Sequence, residues 1–282
     1  MVLQEPLLFD TTVYNNVASG LKIRGMKRHE IGPIVGQVLE RFGIAHLKDR
    51  SARTLSGGEA RRASIARAFA TNPEVLLLDE PFSALDPIIR ESLIEDLEQV
   101  LKETRITTIF VTHDRTEAFR LATRLGVMRE GEILQTGSSD EVMNHPANEF
   151  VASMVGVETI LHGEVIQRHN GAFVVSVSGH DLEVAGDMNP GDRVVLCIRP
   201  ENVTLSTVGA GNVMNPSNAF EGKIERITPM GLYHKVKLNC GFPLVAYLTK
   251  HSLSALCLKE GGEALASFKP TAIHAIPKHR KQ

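Results

Sequence analysis

The chain has 282 residues, 43% of them apolar, and carries 31 Lys+Arg against 33 Asp+Glu for a formal net charge of −2. That composition supports packed cores in two domains of ordinary size and excludes extensive disorder. The near-neutral balance gives no global field toward nucleic acid, and no apolar run approaches the ~20 residues of a membrane-spanning helix.

The first residues do not read as a signal peptide. Cys197, Cys240 and Cys257 are odd in number and far apart, without metal-ligand spacing, so a reduced, cytosolic protein without a structural metal is expected. The basic end, Lys278-His279-Arg280-Lys281, reads as a solvated tail.

In chain order, Val2-Leu3-Gln4 reads as the exit of a buried strand, after which Pro6 turns the chain into a loop. Leu55-Ser56-Gly57-Gly58-Glu59 places two glycines at a helix start, where backbone N–H groups and the helix dipole favour an anion. From Glu59 to Ala70 the period is helical, with Ala63, Ala66 and Phe69 on one side. Val75-Leu76-Leu77-Leu78 is a continuous apolar run, as expected of a strand covered on both faces. It delivers two carboxylates, Asp79 and Glu80, at its carboxyl edge, where charge needs a partner such as a metal. Ser83-Ala84-Leu85-Asp86 follows, and Asp86-Pro87 is a strong helix start. The helix carries Ile88, Leu93, Ile94, Leu97, Val100 and Leu101. Thr107–Val111 predicts a second buried strand, parallel to the first through a right-handed crossover. His113, in Val111-Thr112-His113-Asp114, then arrives at the same sheet edge as Asp79 and Glu80.

After about Glu158 the texture becomes all-β. Short alternating runs such as Phe173–Val177 and Tyr233–Leu238 are separated by Asn170-Gly171, Asn189-Pro190-Gly191 and Gly261-Gly262. The region repeats: GDRVVLCIRPENV (191–203) aligns with GGEALASFKPTAI (261–273), and Leu161-His-Gly-Glu-Val with Phe220-Glu-Gly-Lys-Ile. Two copies of one β unit are expected, over about 159–207 and 217–277, joined by Ser206–Asn218, rich in Gly, Ser and Asn.

Together and in this order, the first five motifs resemble the ATP-binding-cassette (ABC) ATPases. LSGGE resembles the signature motif, VLLLDEP the second Walker motif, SALD the loop after it, VTHD the switch histidine and VLQEP the glutamine loop. The resemblance implies a P-loop NTPase parallel sheet with a helical subdomain over residues 1–155, then an all-β domain of two small OB-like barrel repeats over 156–282. It implies ATP and Mg2+ as cofactors. Asp79 would ligate Mg2+, Glu80 would be the general base, His113 would contact the γ-phosphate, and Gln4 would sense Mg2+ and water. Ser56, Gly57 and Gly58 would bind the γ-phosphate of ATP held by a second subunit of a homodimer, with Asp86 at that interface. Phe9, Val13, Tyr14 and Val17 would receive a helix of an integral-membrane permease, placing the chain peripherally on the cytoplasmic face of the inner membrane.

The family's phosphate-cradling loop, G-x-x-x-x-G-K-[ST], has no match in the 282 residues. Gly20-Leu-Lys-Ile-Arg-Gly25-Met-Lys27 is the nearest pattern, but its lysine comes one residue late and no Ser or Thr follows. The expectation is a chain that begins at the glutamine-loop strand, with an incomplete sheet that exposes apolar surface and no ATP turnover on its own.

The β region resembles the regulatory (TOBE) domain of importer ATPases, related to molybdate-binding proteins. Cys197-Ile198-Arg199-Pro200-Glu201-Asn202-Val203 is the widely shared importer element. The segments around Phe220, Cys240–Ala246, Leu248–Ser252 and Ser267–Thr271 resemble the molybdate/tungstate type. That resemblance implies an oxyanion importer working with a separate substrate-binding protein. Importers of sulfate, ferric iron or a polyamine, and a non-catalytic oxyanion-binding regulatory fragment, are the alternatives. Ser217, Thr249, Ser252, Lys269 and Thr271 could bind molybdate or tungstate at this domain, since a tetrahedral oxyanion takes hydroxyls, N–H groups and a cation. Asn218-Ala219 departs from the Arg-Asn pair common there, and Pro270 stands where Ala is usual.

Overall fold

A computed structural model describes residues 1–208 and 218–278. The chain divides into two compact units, Met1–Ala122 and Thr123–Gln282.

The first unit is built from α1 (Val13–Ile23), α2 (Arg28–Arg41), α3 (Gly57–Ala70), β1 (Val75–Asp79), α4 (Pro87–Thr104), β2 (Thr107–Val111) and α5 (Arg115–Leu121). Its helix starts follow their capping chemistry. Ser56 caps α3 in a reciprocal capping box with Glu59, and Asp86 caps α4 ahead of Pro87. β1 and β2 pair in parallel, Leu77 opposite Ile109, and Val2 adds a parallel bridge to Leu78 on the other side of β1. The expected strand–helix–strand unit is therefore present.

One face of this sheet carries the exposed apolar surface expected above, whereas the apolar runs taken alone read as covered on both sides. Leu76 and Leu78 are buried in a core shared with Ile65, Phe69, Leu93 and Leu97, whereas Val75, Leu77, Ile109 and Val111 are exposed, from 38% at Leu77 to 57% at Ile109. The continuous apolar run describes side chains suited to two covered faces; among the described residues, helices pack on one.

The second unit opens with the hairpin β3 (Arg124–Arg129) and β4 (Glu132–Ser138), then α6 (Ser139–Asn144) and α7 (Glu149–Met154). The boundary at Ala122 falls well before the composition change near Glu158, because α6 and α7 are tied to the β region. Arg199 donates to the carbonyls of Met143 and Val155, at the ends of the two helices, and His274 bonds the Pro146 carbonyl at 3.0 Å. Burial in this contact holds the His274 imidazole below its ordinary pKa.

The β region holds β5 (Thr159–His169), β6 (Ala172–Val177), β7 (His180–Ala185), β8 (Arg193–Ile198), β9 (Thr204–Ser206), β10 (Asn218–Pro229), β11 (His234–Asn239), β12 (Pro243–Leu248), α8 (Lys250–Ala255), β13 (Glu263–Phe268) and β14 (Ile273–Pro277). Two five-stranded antiparallel sheets form, in the orders β14-β8-β5-β6-β7 and β12-β11-β10-β13-β9. Each copy of the repeat thus gives its last strand to the other copy's sheet: β9 pairs with β13, and β14 with β8.

The shared core between the sheets includes Phe173, Leu182, Leu196, Ile224, Leu238, Phe242 and Phe268. The equivalent glycines Gly163 and Gly222 sit where β5 and β10 pass closest to a neighbouring strand. A Cβ at Gly163 would meet Val175 Cγ1 at 2.4 Å and the Ser176 carbonyl at 2.7 Å; one at Gly222 would meet Cys240 Sγ at 2.4 Å. All three cysteines are free; burial pushes the Cys197 thiol up to about 12 and that of Cys240 up to about 11, so both are inert packing groups.

Candidate functional site

The parallel pairing of β1 and β2 brings their carboxyl ends to one edge, and four of the nominated residues meet there. Glu80 leaves β1 with φ of 40°, a left-handed conformation that a residue with a Cβ adopts at a cost of ~1–2 kcal/mol. Its N–H donates to the Val111 carbonyl at 2.9 Å, and its own carbonyl accepts from the Ser83 hydroxyl at 2.9 Å. The strained turn is therefore pinned at both ends, and it aims the Glu80 carboxylate along the sheet edge. His113 Nδ1 lies 3.0 Å from Oε1, and Gln4 Nε2 donates to Oε2 at 3.3 Å. A carboxylate held by one oxygen on each side is oriented as a general base should be.

Asp79 ends β1 half-buried, and its carboxylate has no hydrogen bond or ion pair among the described residues. An unpaired carboxylate beside Glu80 fits Mg2+, which takes one or two protein carboxylates and fills its remaining positions with phosphate and water.

His113 is largely exposed. Its hydrogen bond to Glu80, and then the charge of Glu80, raise its pKa above the ordinary imidazole value. A raised value means that the protonated His113–Glu80 pair favours the folded arrangement below pH ~6.5 and that this contribution fades as pH rises through the folded-state pKa. Ring-proton NMR should find His113 titrating above the ordinary imidazole value, and Glu80→Gln should lower it. An unshifted His113 in the unsubstituted chain would contradict the contact.

Residues not nominated from the sequence support this edge. Thr112 donates to buried Glu117, which also accepts from Arg90 Nε at 2.8 Å, and Arg90 Nη2 pairs with Asp114 at 2.5 Å. Burial works to raise the Asp114 carboxyl, but Arg90 and the N–H groups of Glu117 and Thr116 outweigh it and hold it low. Both neighbours of His113 are thereby tied to α4, one turn after Asp86. A cation in the first turn of a helix opposes the dipole, and Arg90 in that position was the available signal.

The signature segment lies at the start of α3. Ser56 and Gly57 are exposed, and the N–H groups of Gly57 and Gly58 have no acceptor among the described residues, which suits an incoming phosphate oxygen. The Ser56 N–H donates to Glu59 Oε2 at 2.7 Å and the Ser56 hydroxyl donates to it at 2.9 Å; the backbone bond first, and then the hydroxyl, lowers the Glu59 pKa. Gly58 is buried beneath Ile89: a Cβ would meet Ile89 Cγ2 at 2.5 Å. Asp86 is exposed, its side chain accepting from the Ile88 N–H. Of the residues expected to receive a permease helix, Val13 and Val17 are instead fully buried, because α1 turns them into its own core. Phe9 is exposed, and Tyr14 is half-buried.

The oxyanion candidates fall into separate groups. Thr249 caps α8, and its hydroxyl lies 2.9 Å from that of Ser252. The strand before them, β12, packs on the turn Pro200–Asn202, whereas the turn Pro270–Ala272, beside Lys269 and containing Thr271, packs on β7. The two pairs thus belong to different interfaces, and Ser217 lies outside the described residues.

Residues 1–83 match the family model described as ABC transporter. The chain is 39% identical over 267 residues, 94% of its length and 75% of the relative's, to the molybdate/tungstate import ATP-binding protein WtpC of Pyrococcus horikoshii. The chain belongs to the ABC transporter ATPase family. Its ABC relatives also include the sulfate/thiosulfate import ATP-binding protein CysA of Mycolicibacterium paratuberculosis, 34% identical over 89% of this chain and 63% of the relative. Among solved ABC structures, cbiO1 of Clostridium perfringens, part of the transporter complex cbiONQ, aligns with a TM-score of 0.47 and 34% identity. That alignment covers 56% of this chain and 62% of cbiO1.

Proposed function

We propose that this chain belongs to the ATP-hydrolysing subunit of an importer for tungstate or molybdate, its Gln4, Glu80 and His113 edge turning ATP over only together with a phosphate-cradling loop, which its 282 residues do not contain. The observation that carries the cargo is the reach of the similarity: identity to the molybdate/tungstate relative runs through 94% of the chain, the β region included, and exceeds that to the sulfate/thiosulfate relative. Importer ATPases work peripherally to the membrane with permease components, and no helix among the described residues is long and apolar enough to cross a bilayer. In this reading the chain sits on the cytoplasmic face, works as a homodimer and leaves cargo selection to a separate binding protein.

The site residues divide the chemistry. Glu80 accepts the proton of the attacking water; Gln4 and His113 hold its two oxygens so that one lobe faces that water. Asp79 would hold Mg2+, which neutralises phosphate charge when bound. Gly57 and Gly58 offer N–H groups to a phosphate held by the second subunit, with Ser56 able to exchange its bond to Glu59 for one to that phosphate. Exposed Asp86 lies toward the same partner.

Cellular uptake tests the cargo. Deleting the gene should abolish accumulation of tungstate and molybdate, measured by elemental mass spectrometry, while sulfate uptake persists. Restoring the native locus should recover accumulation, and restoring it with Glu80→Gln should not. Loss of sulfate uptake with normal tungstate uptake would transfer the assignment to a sulfate importer.

A further inference from the structure

Arg61 stands one turn into α3 and is 3% exposed. Its Nη1 donates to the Leu3 carbonyl at 2.7 Å, its Nη2 donates to the Gln4 carbonyl, and its Nε has no partner among the described residues. A guanidinium buried without a carboxylate is a costly group, sustained here by two consecutive carbonyl dipoles. Its planar fork fixes the direction of both peptide groups, which a flexible ammonium would not do. Those peptides are the root of the Gln4 side chain, whose Nε2 reaches Glu80 at 3.3 Å. Residues Gly58, Arg61, Ile65 and Phe69 share the buried face of α3, so Arg61 moves with the signature segment.

We propose that Arg61 is a positioning residue that fixes Gln4 against Glu80 and makes the start of α3 and the glutamine loop one rigid body. The functional consequence rests on the hydrolytic reading above. The start of α3 serves the nucleotide of the second subunit, while Gln4 serves the carboxylate of its own. Through Arg61, phosphate contact at Gly57 and Gly58 is felt at Gln4 and Glu80, so each of the two sites reports its occupancy to the other.

The test uses the 282-residue chain and needs no nucleotide. In the unsubstituted protein the Gln4 side-chain amide should give dispersed, slowly exchanging NMR signals. Arg61→Met, close in length and without charge, should move them to the position of a glutamine without a carboxylate partner and speed their exchange about tenfold or more, the factor expected for one lost charge-assisted hydrogen bond. Arg61→Lys should give an intermediate rate, because an ammonium cannot hold both carbonyls in the fork geometry. Val35→Ala, a core truncation in α2, should lower Tm and leave the Gln4 signals in place; this separates positioning from loss of stability.

Unchanged Gln4 signals in folded Arg61→Met would overturn the proposal. If that variant does not fold, Arg61→Lys decides, and exchange at the wild-type rate overturns it equally. A failed uptake experiment would count against the functional reading and leave this geometry standing.

Discussion

Purified alone, the 282-residue chain should release phosphate from MgATP no faster than buffer does. The edge formed by Gln4, Asp79, Glu80 and His113 has the acids and donors for the chemical step, but two carboxylates facing a triphosphate repel it. The family offsets that repulsion with a loop of backbone N–H groups and a lysine around the β- and γ-phosphates. No such loop occurs in these residues, and the nearest pattern cannot become one. Gly20 lies within α1, where a Cβ would meet Thr71 Cγ2 at 2.5 Å, Gly25 turns with φ of 75°, and Lys27 occupies the N-cap position of α2. Those residues form a helix–turn–helix connection whose donors serve the helices. Fusing a phosphate-loop strand and helix ahead of Val2 should generate Mg-dependent turnover, and Glu80→Gln in that fusion should remove it by about a hundredfold to ten-thousandfold, as for loss of a general base. Mg-dependent turnover by the unfused chain, abolished by Glu80→Gln, would show that a phosphate site exists elsewhere in it.

Much of this edge was legible in the sequence because its determinants are local. Asp86-Pro87 and Ser56-Gly57-Gly58-Glu59 carry their own capping chemistry, and a strand–helix–strand unit leaves only one sense of crossover. Asp79 and His113 then had to share an edge. What the sequence could not show depends on partners distant in the chain. Leu77 and Ile109 read as buried because they are apolar and sit in uninterrupted runs, yet burial belongs to whatever packs on the strand. Arg61 interrupts the apolar face made by Gly58, Ile65 and Phe69, and the reason is out of local reach, because its acceptors are carbonyls nearly sixty residues earlier. The exchange of β9 and β14 was hidden for another reason. Each copy of the repeat carries the full set of strands, and a three-residue strand such as β9 has too short a period to show which sheet it joins.

That exchange gives Asn218 a weight its polarity conceals, and Asn218→Ala should lower the stability of the second unit by about 2–4 kcal/mol, or roughly 5–15 °C in Tm. The side chain is fully buried at the start of β10. Its Oδ1 accepts from the Glu183 N–H and its Nδ2 donates to the Glu183 carbonyl, both at 2.8 Å, so one amide closes the outer edge of β7 as a neighbouring strand would. Truncation removes two hydrogen bonds and leaves two half-buried backbone groups of Glu183 without those partners; the second effect dominates. The equivalent position in the first copy provides a graded comparison. Thr159, also buried, accepts only from the Val245 N–H of β12, at 3.0 Å, so Thr159→Val orphans one donor at nearly constant volume and should cost about 1–2 kcal/mol. The two residues form reciprocal staples, each copy's first strand reaching the other copy's edge strand. Hydrogen exchange should localise the effects, with the Glu183 amide losing protection in Asn218→Ala and the Val245 amide in Thr159→Val. Equal, sub-degree shifts in both variants would mean that water replaces the side chains and that the strand exchange alone holds the two sheets together.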